Sequence, residues 1–486
     1  MSDKTPKPET EKPAKGRWHL DRFMRDLAVL SGGELTSKIL GFLAFAYLAR
    51  VLTVEDYGML ETIVGMAAIG LMAIDFGTGA VGVRRLAQKG SDISQTLGAV
   101  ISARLIMSLL VIPALALTYL LLIKPAGAET LIWLFAMSLW AVPFSMGWLL
   151  QSQEKMTAAA FGPALKMIVF ALVVFALAPG RNGLVMVGFA EMTAMLVMVL
   201  YLTFISARVL KIQRPSLSVP HATNILQESS PLGLASFVRT AGLYVPVLIV
   251  AAISGGQEAG AFGAAHRLIT SLVTFSFTYY FNIYPLFTRK YGTDNKGLTE
   301  ILDASVRVTA WAGISAALIL TMAAEPLMTL IFGKAYAGAA TTFQIMVWMG
   351  ALVLMSGNAR WMLVTSKRQS ALLLAQIVSA VVTIGLALVL VPIADSIGAA
   401  IAVTAGAVCM WIVAHFSTIS GEFRPQLSPV LLPAALALAA FASMYFWSLD
   451  AWPATGAATL IMVCGVALNQ KVWKALRILA AAKNEV

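Results

Sequence analysis

Long apolar stretches separated by short polar connections occupy almost the whole chain after residue 26. An α-helix needs about 20 predominantly apolar residues to cross the hydrocarbon core of a bilayer, and most of the stretches reach that length. The pattern therefore predicts an all-α membrane protein with about 14 transmembrane helices. The apolar runs lie at 27–50, 59–82, 96–123, 130–150, 160–178, 185–207, 232–254, 260–286, 302–323, 339–358, 370–391, 398–419, 430–448 and 456–469.

Polar interruptions of more than a few residues divide these runs into groups. The segment 208–231 separates the sixth run from the seventh, and a shorter one at 287–300 follows the eighth. Twelve helices then form two lobes of six, and two helices remain at the carboxyl end. The predicted division is a cytoplasmic tail at 1–26, an amino-terminal lobe at 27–207, a cytoplasmic linker at 208–231, a carboxy-terminal lobe at 232–419, two further helices at 430–469 and a cytoplasmic tail at 470–486.

A weak internal repeat relates the two sets of six helices. The stretch 54–66 (VEDYGMLETIVGM) corresponds to 256–268 (GQEAGAFGAAHRL), and the alignment places Gly58 on Gly260. Repeats in the same orientation, six spans apart, indicate two pseudo-symmetric bundles related by an axis along the membrane normal, with a cavity between them. This architecture is typical of transporters.

Composition and charge agree with a membrane location. Hydrophobic residues make up 59% of the chain and charged ones 12%, against about 25% charged in soluble domains. The net charge of +11 does not indicate nucleic-acid binding, because Lys and Arg punctuate the gaps between apolar runs. With the amino terminus inside, 25 of the 35 basic residues fall on the cytoplasmic side, and the opposite side holds Arg50, Lys124, Arg181 and Lys334. The positive-inside rule then predicts that both termini are cytoplasmic.

Catalytic and metal-binding patterns are not found in the sequence. Cys409 and Cys464 lie far apart inside apolar runs, which is the distribution of small core residues. The outer connections are short, and none combines His with a carboxylate for acid–base chemistry. We therefore expect a transporter with no cofactor and no metal.

Six basic residues lie within the apolar runs, where a charge costs about 2.5–3.5 kcal/mol at a helix centre and needs a partner or a wet cavity. Lys38 is close to the predicted midplane, with Glu34 one turn earlier on the same face. Either the two form a buried ion pair, or Lys38 faces a cavity where substrate or a proton can replace its partner. For Arg104 and Arg307 we expect snorkelling or lipid contact, and Lys166 is left open.

Acidic residues and one histidine in the membrane are candidates for coupling transport to H⁺ or Na⁺. Burial raises the proton affinity of a carboxylate, so its occupancy can change with the exposure of the cavity. The candidates are Glu34, Glu61, Asp75 and His266. A helix-capping role for Asp75 is equally economical, and a residue such as His266 is more often a packed polar residue than a pH sensor.

Three stretches resemble bacterial polysaccharide flippases. LAVLSGGELTSKILGFLAFAYLARVLTVEDYGML (27–60) is similar to the opening of that family, and EPLMTLIFGKAYAGAATTFQIM (325–346) to its ninth-to-tenth connection. LVLVPIADSIGAAIAVTAG (388–406) resembles its eleventh-to-twelfth turn. The group is that of the O-antigen and exopolysaccharide flippases in the multidrug/oligosaccharidyl-lipid/polysaccharide exporter superfamily. Gly58, Gly333 and Gly398 in these motifs are expected to permit tight turns at the membrane surface.

The resemblance implies alternating access and a substrate of polyprenyl-diphosphate-linked oligosaccharide, with polysaccharide polymerase and export proteins as partners. Helices 1, 2, 7 and 8 line the central cavity in the family, so Lys38, Arg239 and Arg267 are the expected substrate-binding residues, with snorkelling to the interface as the alternative for the two arginines. Arginine suits a diphosphate because it donates bidentate, charge-assisted hydrogen bonds. The alternatives are a multidrug or cation antiporter of the same superfamily and a membrane-embedded glycan transferase or ligase.

Overall fold

The computed structural model describes residues 15–88, 92–123, 129–177, 183–210, 215–419, 426–446 and 450–484. Every regular element in these ranges is helical. The α-helices are α1 (Lys15–Val51), α2 (Val54–Asp75), α3 (Thr78–Leu86), α4 (Ile93–Thr118), α5 (Glu129–Leu139), α6 (Gly147–Ser152), α7 (Met156–Leu177), α8 (Gly183–Leu210), α9 (Val219–Ser254), α10 (Gly256–Lys290), α11 (Asn295–Met322), α12 (Ala324–Phe332), α13 (Ala340–Thr365), α14 (Gln369–Ile419), α15 (Ser428–Phe446), α16 (Ala451–Leu468) and α17 (Gln470–Asn484).

The all-helical membrane fold expected from the apolar pattern is confirmed. Each apolar run coincides with a helix, a half of α14, or a pair of helices such as α2–α3 and α5–α6. Within the described ranges, ten helical segments are long and apolar enough to cross a membrane, when the two halves of α14 are taken together. The protein is a multi-pass membrane protein, and the count of 14 spans stays a prediction.

Helix extends into three segments that the sequence pattern assigned to tails or a linker. The first helix begins at Lys15 within the predicted tail, and α9 begins at Val219 within the predicted linker. Residues of α17 also pack on the protein, because Ala475 and Leu479 join a buried cluster with Phe287 and Leu298. The polar composition of these segments does not exclude a helix, because one apolar face is enough for a helix to pack against the protein.

The second apolar run is broken where α2 meets α3. Phe76 and Gly77 both have left-handed backbone angles, with φ of 40° and 75°. The hydroxyl of Thr78 donates to the carbonyl oxygen of Asp75 at 2.7 Å across the break. The break leaves the Asp75 carboxylate at the end of α2, where a neighbouring helix can supply a counter-ion.

Two halves of the molecule pack face to face. In the first, α1, α2, α4, α5, α7 and α8 contact one another, and in the second, α9, α10, α11, α13 and α14 do so. The halves meet chiefly where α2 packs on α10 and α9. They come closest at the starts of α2 and α10, because a Cβ added at Gly58 would lie 1.9 Å from the Gly256 carbonyl oxygen and one added at Gly260 would lie 2.1 Å from that of Val54.

The motif glycines therefore have different roles. The expectation of a turn at Gly58 is wrong, since this residue is inside α2 and permits close helix crossing instead. Gly333 does form a turn after α12, with a φ of 105°. Gly398 lies just after the kink of α14 at Ala394 and Asp395, and an added Cβ would lie 2.3 Å from the Leu390 carbonyl oxygen. This sharp reversal divides the eleventh run from the twelfth.

Candidate functional site

A cavity of about 680 Å³ lies between the two halves. One wall is α1 of the first half, and the other walls are α9, α10, α13 and α14 of the second. Its lining residues on α10 begin at Thr274, seven residues after Arg267, or about 10 Å further along the helix. We call it the central cavity. The described lining residues are Leu35, Lys38, Arg239, Thr274, Ser276, Phe277, Thr278, Tyr280, Phe281, Val353, Arg360, Trp361, Val364, Leu372 and Gln376.

Three cations, Lys38, Arg239 and Arg360, line the central cavity, and we call them the cation cluster. The Lys38 ammonium lies 5.8 Å from the centroid of the Phe277 ring. Arg360 donates one hydrogen bond of 2.9 Å to the Val353 carbonyl oxygen. Its Nε is buried and has no hydrogen-bond partner among the described residues. The three cations give this cavity a positive charge that attracts an anionic ligand.

The predicted site residues are only partly brought together. Lys38 and Arg239 line the central cavity as expected. Arg267 does not belong to this lining, because its guanidinium is held elsewhere. Glu34 precedes Lys38 by one helical turn, and its side chain lies outside the described residues. The ion pair between Glu34 and Lys38 therefore stays a prediction.

Arg267 forms a buried, bidentate ion pair with Glu61. Its Nε and one terminal nitrogen donate to the two carboxylate oxygens at 2.9 and 2.8 Å. The guanidinium carbon lies 3.7 Å from the centroid of the Phe45 ring, which adds a cation–π contact. Gly263, one turn earlier on α10, makes room for Glu61, because an added Cβ would lie 2.6 Å from the glutamate Cγ. The Glu61–Arg267 pair thus ties α1 and α2 of one half to α10 of the other.

Aromatic rings enclose the same contact between the halves. Tyr57 and Tyr336 meet edge to face with ring centroids 5.8 Å apart. His266 is 4% exposed and lies between the rings of Phe262 and Tyr244. Its Nε2 has no hydrogen-bond partner among the described residues. Burial strengthens the electrostatic attraction within the Glu61–Arg267 pair, because water cannot screen the two charges.

Of the three remaining basic residues inside the apolar runs, Arg104 and Lys166 pair with carboxylates, and Arg307 is half-buried on α11. The expectation of snorkelling is wrong for Arg104, whose side chain is 5% exposed and bridges Asp75, the Thr78 hydroxyl and the Ser145 carbonyl. Asp75, the last residue of α2 before the break, supplies the counter-ion. Lys166 pairs with Glu191 at 2.5 Å within the first half.

Arg360 was missed by sequence reasoning. The tenth apolar run ends at 358, so the pattern predicts Arg360 in a cytoplasmic connection. The structure continues α13 to Thr365, because the residues after the arginine, Trp361, Met362, Leu363 and Val364, are apolar and extend the helix. These apolar residues are the feature of the sequence from which a longer helix could have been predicted. A residue assigned to a loop thereby becomes part of the cavity wall.

Two helical halves that enclose a cavity in the membrane, with three cations at its walls and an ion pair at the contact that closes one end, define a membrane transporter. The sequence matches the family described as "Polysaccharide biosynthesis protein" over residues 23–290, more than half of the chain. The chain belongs to this family.

Known proteins of similar sequence and structure are transporters and flippases. The "Putative O-antigen transporter" of Escherichia coli (strain K12) is 23% identical over 339 residues, which cover 68% of this chain and 80% of that protein. "Lipid II flippase MurJ, inward closed conformation" superposes with a TM-score of 0.72 at 13% identity, over 90% of this chain and 97% of that one. An inward-facing multidrug resistance MATE family transporter of the MOP superfamily gives 0.62 at 16% identity, over 79% and 94%. The fold is that of the MOP superfamily.

Proposed function

We propose that this protein translocates a polyprenyl-diphosphate-linked oligosaccharide, the repeat unit of an O-antigen or exopolysaccharide, from the cytoplasmic to the outer leaflet. The observation that carries the proposal is the central cavity, which Lys38, Arg239 and Arg360 line together between the two halves. The match to an O-antigen transporter supports the same substrate class. The family membership is consistent with it.

A diphosphate is the ligand that this chemistry suits best. Each arginine presents a planar fork of donors that matches two phosphate oxygens, and hydrogen bonds between two charged groups are about twice as strong as neutral ones. Keeping three cations close together in a membrane protein is costly, and an anionic ligand offsets that cost. The hydroxyl, amide and aromatic side chains of Thr278, Gln376 and Trp361 line the same cavity and suit the sugars that follow the diphosphate.

Alternating access gives the Glu61–Arg267 pair its place in the cycle. The charge distribution along the sequence favours cytoplasmic termini, which puts the starts of α2 and α10 at the outer face. The close crossing of these helices then closes the outer end, and the central cavity lies on its cytoplasmic side. Arg267 accordingly acts in the closing contact rather than in substrate binding. Separation of the halves at that contact exposes the cavity to the outside while the lipid tail stays in the bilayer.

The rival function is export of cationic drugs, as in the multidrug transporter that shares the fold. Such a cavity needs carboxylates to attract its substrate, and the described lining of the central cavity offers only cations and neutral groups. The buried acids Glu61 and Glu191 are instead engaged with Arg267 and Lys166. Coupling to H⁺ or Na⁺ through Glu34, Glu61, Asp75 or His266 remains part of the proposal, and so do partners in polysaccharide polymerisation and export.

The test is an export assay in the native bacterium after deletion of the gene. We expect lipid-linked oligosaccharide to accumulate on the cytoplasmic leaflet, and a wild-type copy to clear it. Copies with Lys38→Ala, Arg239→Ala or Arg360→Ala should each lower export at least about tenfold, the effect of losing one charged hydrogen bond of about 1.5–3 kcal/mol. Arg208→Ala and Lys334→Ala, which lie outside the cavity lining, serve as matched controls. Full export by all three cavity variants at equal membrane levels would contradict the proposal.

A further inference from the structure

A second cavity, of about 320 Å³, forms a groove between α10, α11 and α13. Its floor is made of small residues from α11 and α13, among them Gly313, Ala316, Gly350 and Ala351. The α10 side is apolar and is represented by Leu272. None of the described residues that line the groove carries a charge, so its chemistry is opposite to that of the central cavity.

The groove and the central cavity share walls. Ser276 of α10 lines both of them. Further along the same helix, Tyr279 lines the groove and Tyr280 lines the central cavity. On α13, Leu354 lines the groove and Val353 lines the central cavity. If the head group of a molecule occupies the central cavity, the chain of the same molecule can therefore pass Ser276 and reach the groove.

Two of the three polar side chains that line the groove, Tyr279 and Thr309, are hydrogen-bonded within the protein. The Tyr279 hydroxyl is 2.8 Å from the Ser305 hydroxyl, which donates to the Asn358 side-chain oxygen at 2.6 Å. The Asn358 amide nitrogen donates to the Thr309 hydroxyl at 2.9 Å. With these bonds made, the groove offers little to a water molecule or a polar ligand, and an apolar chain is the favourable occupant.

We propose that this groove, whose apolar floor meets the cationic central cavity at Ser276, binds the polyisoprenyl tail of the amphiphile whose diphosphate the cation cluster holds. The inference rests on the proposed function and deepens it, because it gives the tail a site on the second half of the molecule. A chain tethered to a bound head group is held beside the groove at high effective concentration. A bilayer phospholipid keeps its head group at the membrane surface and lacks this tether.

The experiment fills the groove without touching the cation cluster. Gly350→Leu places a side chain in it, since a Cβ at this position meets only Ile269 Cγ2, at 3.9 Å. Ala316→Phe, at an exposed position of the groove wall, is the second variant. It keeps the test valid if Gly350→Leu does not fold. Gly385→Leu on α14 is the matched control, because a Cβ there meets nothing within 4 Å.

Binding of two probes is measured in detergent: a long-chain polyisoprenyl diphosphate with a photoreactive group in the chain, and geranyl diphosphate. We expect the groove variants to lose affinity for the long chain about tenfold, by excluding several methylene and methyl groups, and to keep the wild-type affinity for the short one. Photolabelling of the wild type should fall on α11 and α13, and the long-chain diphosphate should displace a photoreactive phospholipid from them.

Each other outcome overturns the proposal. If the groove variants bind the long chain as tightly as Gly385→Leu does, or if the phospholipid is not displaced, the tail lies elsewhere while the proposed function stands. If the wild-type protein binds neither diphosphate, the proposed function itself fails, and the assignment of the groove fails with it.

Discussion

Arg360 is half-buried, whereas Lys38 and Arg239 are exposed, and its Nε atom is fully buried. Its single described hydrogen bond goes to the Val353 carbonyl oxygen, while Nε has no partner among the described residues. Arg239 is near enough to repel it. An arginine in this situation is stabilised by an anion, and the planar fork of its donors selects one with two or more oxygens.

Arg360→Lys tests that selection, because it keeps the charge and removes the fork. We expect affinity for a polyisoprenyl diphosphate to fall roughly tenfold, as a bidentate contact becomes a single point charge. The measurement is direct binding to purified protein. Arg307→Lys on α11, outside the central cavity lining, is the matched control. Equal affinity of the two variants would show that Arg360 does not contact the phosphates.

At the scale of elements, the contact between α2 and α10 depends on glycines that bring the helices close and on one ion pair. A side chain at Gly58 or Gly260 would meet backbone of the other helix. Glu61 lies one turn after Gly58 on α2, and Gly263 makes room for it on α10. The helices therefore approach closely enough for Arg267 to donate two hydrogen bonds to the buried Glu61 carboxylate.

A double-mutant cycle on this pair has a defined expectation. Glu61→Gln and Arg267→Met should each destabilise the protein by roughly 3 kcal/mol, since removal of one partner leaves a buried charge or donor set unpaired. The double variant should lose much less than the sum, because no charge then remains. Thermal unfolding in detergent measures both effects, with Lys334→Ala as a surface control. Strictly additive losses would show that the two residues act independently.

The sequence predicted the elements well and their pairing poorly. Apolar run length is a local property, so the membrane helices could be anticipated, whereas the expected cavity positions of Lys38 and Arg239 came from the resemblance to the flippase family. The partner of Arg267 could not, because Glu61 is 206 residues away and only the crossing at Gly58 joins them. The burial of Arg104 depended likewise on the break after Asp75. Arg360 was not expected in the cavity, because the tenth apolar run ends before it. The ends of helices are predicted less accurately than their centres.

At the scale of the whole molecule, a closed contact and a cavity lie one behind the other along the interface of the two halves. The Gly58 crossing and the Glu61–Arg267 pair close one end, and the lining of the central cavity begins about two turns further along α10, at Thr274. A cargo bound in the cavity can reach that end only if the halves separate there. This requirement makes the closing contact the decisive place to test transport.

Cross-linking of the closing contact tests the account most directly. Glu55 and Gly256 adjoin across it, since a Cβ at Gly256 would lie 2.8 Å from the Glu55 Cγ, and Glu55 is exposed to reagents. The measurement uses proteoliposomes with the Glu55→Cys/Gly256→Cys variant, in which Cys409 and Cys464 are replaced by Ala. It follows transfer of a fluorescent polyisoprenyl-diphosphate-linked saccharide between leaflets. We predict no transfer when the disulfide is formed and full transfer after reduction; equal transfer in both states would contradict the account.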